Sequence, residues 1–265
     1  MLFSAGGRPG TAGTGPFRFV LLAALPLEVR PFLRQYKARR LAEVGLPAWE
    51  FDTGEGRGAL ALTGMGKEYA EKGVKRVLDL WHPEILVSLG FSGAVRPGLA
   101  PGHLVLGESF WHYYPQTERL EEVEAPAPRY DLKELARRLD AAGLPIALGS
   151  CVTTAGIIHK GRDGEPLRRL AHPVLDLETA ALATAAAATG TPFLALRVIT
   201  DAAGEEIPDF LREGWKPGYG PSLATALGWL VRDLRRLEPM LHLWRRSRLG
   251  AQRLAAGLHV ILPLI

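Results

Sequence analysis

Residues 85–95 read Ile85-Leu86-Val87-Ser88-Leu89-Gly90-Phe91-Ser92-Gly93-Ala94-Val95. The first five form a short apolar run with no sustained polar alternation, the pattern of a strand buried on both faces. The glycines that follow predict a turn where this strand ends. Phe17–Leu25, closed by Pro26, and Phe193–Ile199, ending at Thr200-Asp201, have the same character. Ala48–Phe51, Gly58–Thr63, Leu104–Leu106 with Phe110–Tyr113, and Ile146–Val152 add further strands. Between the strands lie segments with helical spacing, at Glu28–Tyr36, Glu68–Trp81, Leu132–Ala142 and the alanine-rich Thr179–Thr189. Buried strands separated by helices predict an α/β protein, a three-layer α/β/α sandwich around a central mixed, largely parallel sheet.

The chain has 265 residues, 47% hydrophobic and 23% charged, which excludes wholesale disorder, a collagen repeat and a coiled coil. No linker or repeat interrupts residues 17–230, so these are read as one domain. Residues 1–16, rich in Gly and Pro, are expected to be a flexible N-terminus without the apolar core of a secretion signal. Cys151 is the single cysteine, so no internal disulfide forms and the cytoplasm is the expected compartment. The net charge of +4 does not point to nucleic acid. Residues 232–253 alone hold seven Arg against Asp233 and Glu238, more than the whole excess, so the body of the chain is near neutral. Residues 231–265 are read as a basic amphipathic extension, two helices at Leu227–Leu237 and Leu241–Leu258 broken near Pro239. The helix is expected to pack on the domain or on a second subunit. The alternative is peripheral contact with the anionic inner face of a membrane.

Acidic residues stand at the mouths of these elements. Glu28 follows the first strand, Asp176-Leu177-Glu178-Thr179 opens the alanine-rich helix, and Asp201 closes the last strand. Singly, each has an ordinary explanation, such as a first-turn acid facing a helix dipole or the start of a turn. In open α/β sheets, however, ligands gather where strands end. The ordered set is therefore more informative than its members.

That set resembles the nucleoside phosphorylase/nucleosidase superfamily, and within it the 5′-methylthioadenosine/S-adenosylhomocysteine nucleosidases. The matching residues are Ala24-Leu25 with Glu28-Val29, Thr63-Gly64-Met65-Gly66-Lys67, Gly90 with Gly93-Ala94, Asp176-Leu177-Glu178-Thr179-Ala180, and Arg197-Val198-Ile199-Thr200-Asp201. The Arg-rich extension and the bulky Phe91 are similar to the hopanoid-associated adenosylhopane nucleosidases. The resemblance implies hydrolysis of the N-glycosidic bond of a 5′-substituted adenosine-type nucleoside, by a homodimer with no metal or organic cofactor. It places Asp201 as the acid that protonates purine N7 and Glu28 as the base that activates water. Glu178 would hold the ribose hydroxyls, with Leu177 beneath the sugar. Ile157 and Ile158 would sandwich the base. Gly93 and Ala94 would let backbone approach the ligand, and Phe91 and Thr200 would contact it.

One departure bears on the reaction. Ser88 stands where the superfamily's phosphorylases carry a phosphate-gripping Arg, which favours water over phosphate, although Arg30 near the first loop keeps a phosphorylase open as the alternative. A non-catalytic nucleoside-binding or membrane-associated scaffold is the alternative of another class. A dinucleotide-binding oxidoreductase is disfavoured, because no Gly-x-Gly-x-x-Gly follows the first strand. His159 and Lys160, after the base-binding loop, read as a solvated loop, with ligand contact as the alternative, and Phe110–Tyr114 as either an edge strand on the core or a dimer contact. Cys151 reads as a small buried residue.

Overall fold

The apolar run at Ile85 does not turn at Gly90. In the computed structural model, which describes residues 17–42, 44–209, 212, 218 and 237–265, it continues to Ala94 as a ten-residue strand. In chain order the elements are β1 Phe19–Ala23, α1 Pro26–Gln35, β2 Arg39–Leu41, β3 Ala48–Asp52, β4 Arg57–Leu62, α2 Lys67–Trp81 and β5 Ile85–Ala94. They continue with β6 Leu104–Tyr114, β7 Arg119–Val123, α3 Leu132–Ala141, β8 Ile146–Thr153 and α4 Lys160–Asp163. The last are β9 Val174–Asp176, α5 Thr179–Thr189, β10 Phe193–Asp201 and α6 Leu237–Ile261.

All ten strands join one mixed sheet, in the order β10-β6-β8-β9-β5-β1-β4-β3-β2 with β7 on β6. β10 also pairs with β5, so this end of the sheet closes on itself into a small irregular barrel, while among the described residues β2 ends the sheet at the other side. Alternate strand residues feed two cores. Val20, Leu22, Leu86, Val105 and Ala195 pack with α2 and α5 on one face. Phe19, Leu21, Val87, Leu104 and Leu196 pack with α1, α3 and α6 on the other. The three-layer expectation therefore holds, with barrel closure as the added feature.

Phe110–Tyr114 is no edge strand. It lies in β6 between β7 and β8, with Phe110 and Tyr113 buried. The C-terminal helix differs too, because α6 runs through Pro239 without a break. Pro239 is its third residue, where a helix has no intrahelical partner for the missing N–H. Leu254, Leu258 and Ile261 are almost fully buried in the second core, so this stretch packs on the domain itself. Its first half leaves Leu241, Trp244 and Leu249 exposed. Among the described residues no helix is long and apolar enough to cross a membrane. The expected flexible N-terminus at 1–16 and all of the expected helix Leu227–Leu237 but its last residue lie outside the described residues.

Two features of the sheet make room for a site. Along one edge of β5, β1 pairs only as far as Ser88, and β9 takes over at Gly93 and Ala94. Among the described residues, the backbone between has no strand partner on that side. β9 runs antiparallel to β5 and so carries Asp176, Leu177 and Glu178 into the gap.

Candidate active site

Glu28 enters the gap from the first turn of α1, at its third position. Its Oε2 accepts the backbone N–H groups of Ala24 at 3.0 Å and Leu25 at 2.8 Å. Oε1 accepts the N–H of Phe91 at 3.0 Å, satisfying the unpaired stretch of β5. The helix-start role and the site role are thus the same geometry. Three donors leave one of about four carboxylate acceptor positions open. Burial pushes the Glu28 carboxyl above its ordinary 4.5, against the pull of these N–H groups and of Arg197.

Glu178 is the N-cap of α5, and its Oε1 accepts the backbone N–H of Gly66 at 2.7 Å. Burial, with the neighbouring Asp176 charge second, pushes its carboxyl up to about 8. Asp176 organises this corner. Its Oδ1 accepts from Thr153 Oγ1 at 2.6 Å and from the N–H groups of Glu178 at 3.0 Å and Thr179 at 2.9 Å. Its Oδ2 accepts from the Thr179 hydroxyl, with Arg197 Nε 3.6 Å away. Arg197, 1% exposed on β10, bonds the hydroxyl of Ser88 as well. A Cβ at Gly90 would strike this guanidinium, so the glycine read as a turn residue serves a close approach inside a strand.

Asp201, the last residue of β10, accepts at Oδ1 from Thr200 Oγ1 at 2.9 Å. Its Oδ2 receives the Nζ of Lys160 at 2.7 Å. Lys160 is 4% exposed, so the solvated-loop expectation is wrong for it. A short helix turns it inward, where its backbone N–H is held by Glu206 Oε2 at 3.1 Å. A lone Lys in a Gly-rich loop carries no sequence signal for burial, and only the acids at 205 and 206 hint at partners.

These groups converge on one cavity of about 240 Å³. Glu28, Phe91, Gly93, Ile157, Ile158, Leu177, Glu178, Thr200 and Asp201 all line it. Ala94 does not. It belongs to the core behind β5, where it pairs with Val174. Lys160 lines the cavity too, the alternative weighed for it, whereas Asp176, Ser92 and, from α6, Leu243 were not named as site residues. Among the described residues the buried Ser92 hydroxyl has no hydrogen-bond partner, which leaves a hydrogen-bonding group at the wall. Cys151 is buried, and desolvation pushes its thiol up to about 12, so it is no nucleophile.

The model of the phosphorylase superfamily matches residues 18–215, every strand of the sheet and every carboxylate of the cavity. The chain belongs to that superfamily. Among sequence relatives, this phosphorylase-superfamily chain is 29% identical to the 5′-methylthioadenosine/S-adenosylhomocysteine nucleosidase of Geobacillus thermodenitrificans over 185 residues, covering 62% of this chain and 76% of the relative. The corresponding nucleosidase of Bacillus subtilis is 26% identical over 174 residues, covering 59% and 74%. In fold, the chain is similar to the same nucleosidase of Helicobacter pylori, with a TM-score of 0.71 at 13% identity over 95% of this chain and all of that one. A futalosine hydrolase mutant from Helicobacter pylori gives 0.70 at 14% identity, covering 93% and 99%.

Proposed function

We propose that this superfamily member is a nucleosidase that hydrolyses the N-glycosidic bond of a 5′-substituted adenosine-type nucleoside. The observation that carries the reading is the convergence of Glu28, Glu178 and Asp201, from three distant parts of the chain, on a single cavity. The names of the sequence relatives point the same way.

Breaking the bond from C1′ to N9 builds positive charge on the ribose and negative charge on the base. Glu28 has an open acceptor position and a carboxyl that burial raises above its ordinary value, which strengthens it as a base that takes a proton from water. Glu178 beside the sugar gains most when that sugar turns cationic, because a positive neighbour favours its ionised form. Interaction that strengthens as charge develops lowers the barrier rather than merely tightening substrate binding. Ile157 and Ile158 give the base an apolar slot, and Asp201 serves its N7 edge.

Phosphorolysis is less favoured. Ser88 is buried against Arg197 instead of facing ligand, and Arg30 is exposed on α1 and does not line the cavity. Among the described lining residues the one cation is Lys160, which is bonded to Asp201. A homodimer, and soluble action in the cytoplasm on a small nucleoside, complete the proposal. The test is a panel of 5′-substituted adenosines incubated with purified protein, with and without phosphate. Release of free base without phosphate is the expected result. Strict phosphate dependence would establish the phosphorylase, and tight binding without release would establish the scaffold.

A further inference from the structure

Lys160 Nζ carries three N–H donors. One goes to Asp201 Oδ2 at 2.7 Å and one to the carbonyl of Ala202 at 2.6 Å, and Lys160 and Asp201 both line the cavity. Asp201 meanwhile accepts at both oxygens, from Lys160 and from Thr200. A carboxylate held this way receives hydrogen bonds and has none of its own to give. The departing base nevertheless needs a proton, and the ammonium touching Asp201 has one.

The surroundings keep this pair intact. Glu206 clamps the N–H groups of Lys160 and Gly161, at 3.1 and 2.7 Å. Glu205 accepts the Ala202 N–H at 2.8 Å and pairs both guanidinium nitrogens of Arg246 on α6. The adjacent acids thereby tie the loop bearing Lys160, the end of β10 and the C-terminal helix into one unit.

We propose that Lys160 is the source of the proton that reaches the departing purine, with Asp201 as the group that hands it over. The proposal rests on the nucleosidase reading above. As the bond from C1′ to N9 breaks, its electron pair passes into the purine. One proton moves from Lys160 Nζ to Asp201 and one from Asp201 to N7, leaving a neutral amine and an unchanged carboxylate. Water adds hydroxide to C1′ and gives its proton to Glu28. After the products leave, Glu28 releases its proton to solvent and the amine takes one up, which restores both groups. Lys160 acts through Asp201 and is a positioning and proton-holding residue.

The experiment compares wild type, Lys160→Arg and Lys160→Gln on two substrates, 5′-methylthioadenosine and 4-nitrophenyl riboside, whose leaving group departs unprotonated. Arginine keeps a cation against Asp201 but does not give up its proton. Both variants are expected to lose about 10²-fold or more in kcat on the purine nucleoside, the usual worth of general acid catalysis. They should stay within a few-fold of wild type on the nitrophenyl riboside. Full purine activity in Lys160→Arg would overturn the proposal, since charge alone would then suffice. Parallel loss on both substrates would also overturn it, leaving Lys160 a purely structural part. Wild type that releases no base from any purine nucleoside overturns the underlying reading and this inference with it.

Discussion

A Cβ placed on Gly93 would overlap the carboxylate of Asp201, its register partner between β5 and β10. The side chain that one residue lacks is the space the other fills. This gives the glycine a reason that no turn provides. Gly93→Ala should push the carboxylate off Lys160 while leaving both cores untouched. The expected outcome is a loss in kcat/KM of about 10²-fold, the scale on which a misplaced reacting group costs. The melting temperature should fall by no more than a few degrees. Unimpaired kcat/KM would show that the Asp201 position is not critical.

Asp201→Asn removes the proton carrier and keeps the shape. Turnover of purine nucleosides should drop by about 10²–10⁴-fold. Equilibrium binding of substrate, measured by calorimetry, should change far less. Retained turnover would remove Asp201 from the reaction.

Glu178 makes the stability of the unliganded protein depend on pH. Its carboxyl lies at about 8 when folded and near 4.5 when not, so in that window the folded chain holds a proton that the unfolded chain has released. Stability therefore declines as pH rises from 4.5 to 8. The melting temperature of Glu178→Gln should match wild type near pH 5 and exceed it at pH 8. Glu205 acts with the opposite sign. Arg246 pulls it down to about 2, so its contribution is present above 4.5 and lost as pH falls toward 2. With Glu205 39% exposed, that contribution is about 1 kcal/mol or less. A Glu178→Gln melting curve parallel to wild type across pH 5–8 would contradict the assignment.

Leu258 tests whether α6 belongs to the domain. It is 1% exposed in the core shared with α1 and α3. Leu258→Ala should destabilise by about 2–5 kcal/mol, as buried leucine truncations do. A separable extension would lose almost nothing in a denaturant titration.

Most of the sheet is legible from apolar runs, because strands buried on both faces leave no other reading. The legible part of the site is the part carried by acids at element ends, Glu28, Glu178 and Asp201. Other features depend on contacts made elsewhere in the fold. Gly90 and Gly93 looked like a turn because glycine signals turns locally, whereas here the glycines clear space for Arg197 and Asp201. β9 has three residues, too few for any period to register. Lys160 is buried by partners at positions 201, 202 and 206, which local sequence does not connect to it. Pro239 suggested a break because its position within α6 could not be read until the helix start was known.

The most direct measurement of the central claim is the fate of oxygen at the sugar's anomeric carbon. Wild-type protein is incubated with 5′-methylthioadenosine in ¹⁸O-labelled water, without phosphate, and the released sugar is read by mass spectrometry within the exchange time. One ¹⁸O in each sugar, together with free adenine, is the predicted result, and Glu28→Gln should slow its appearance by about 10²–10⁴-fold. A sugar phosphate formed only when phosphate is added, or a Glu28→Gln variant as fast as wild type, would contradict the account.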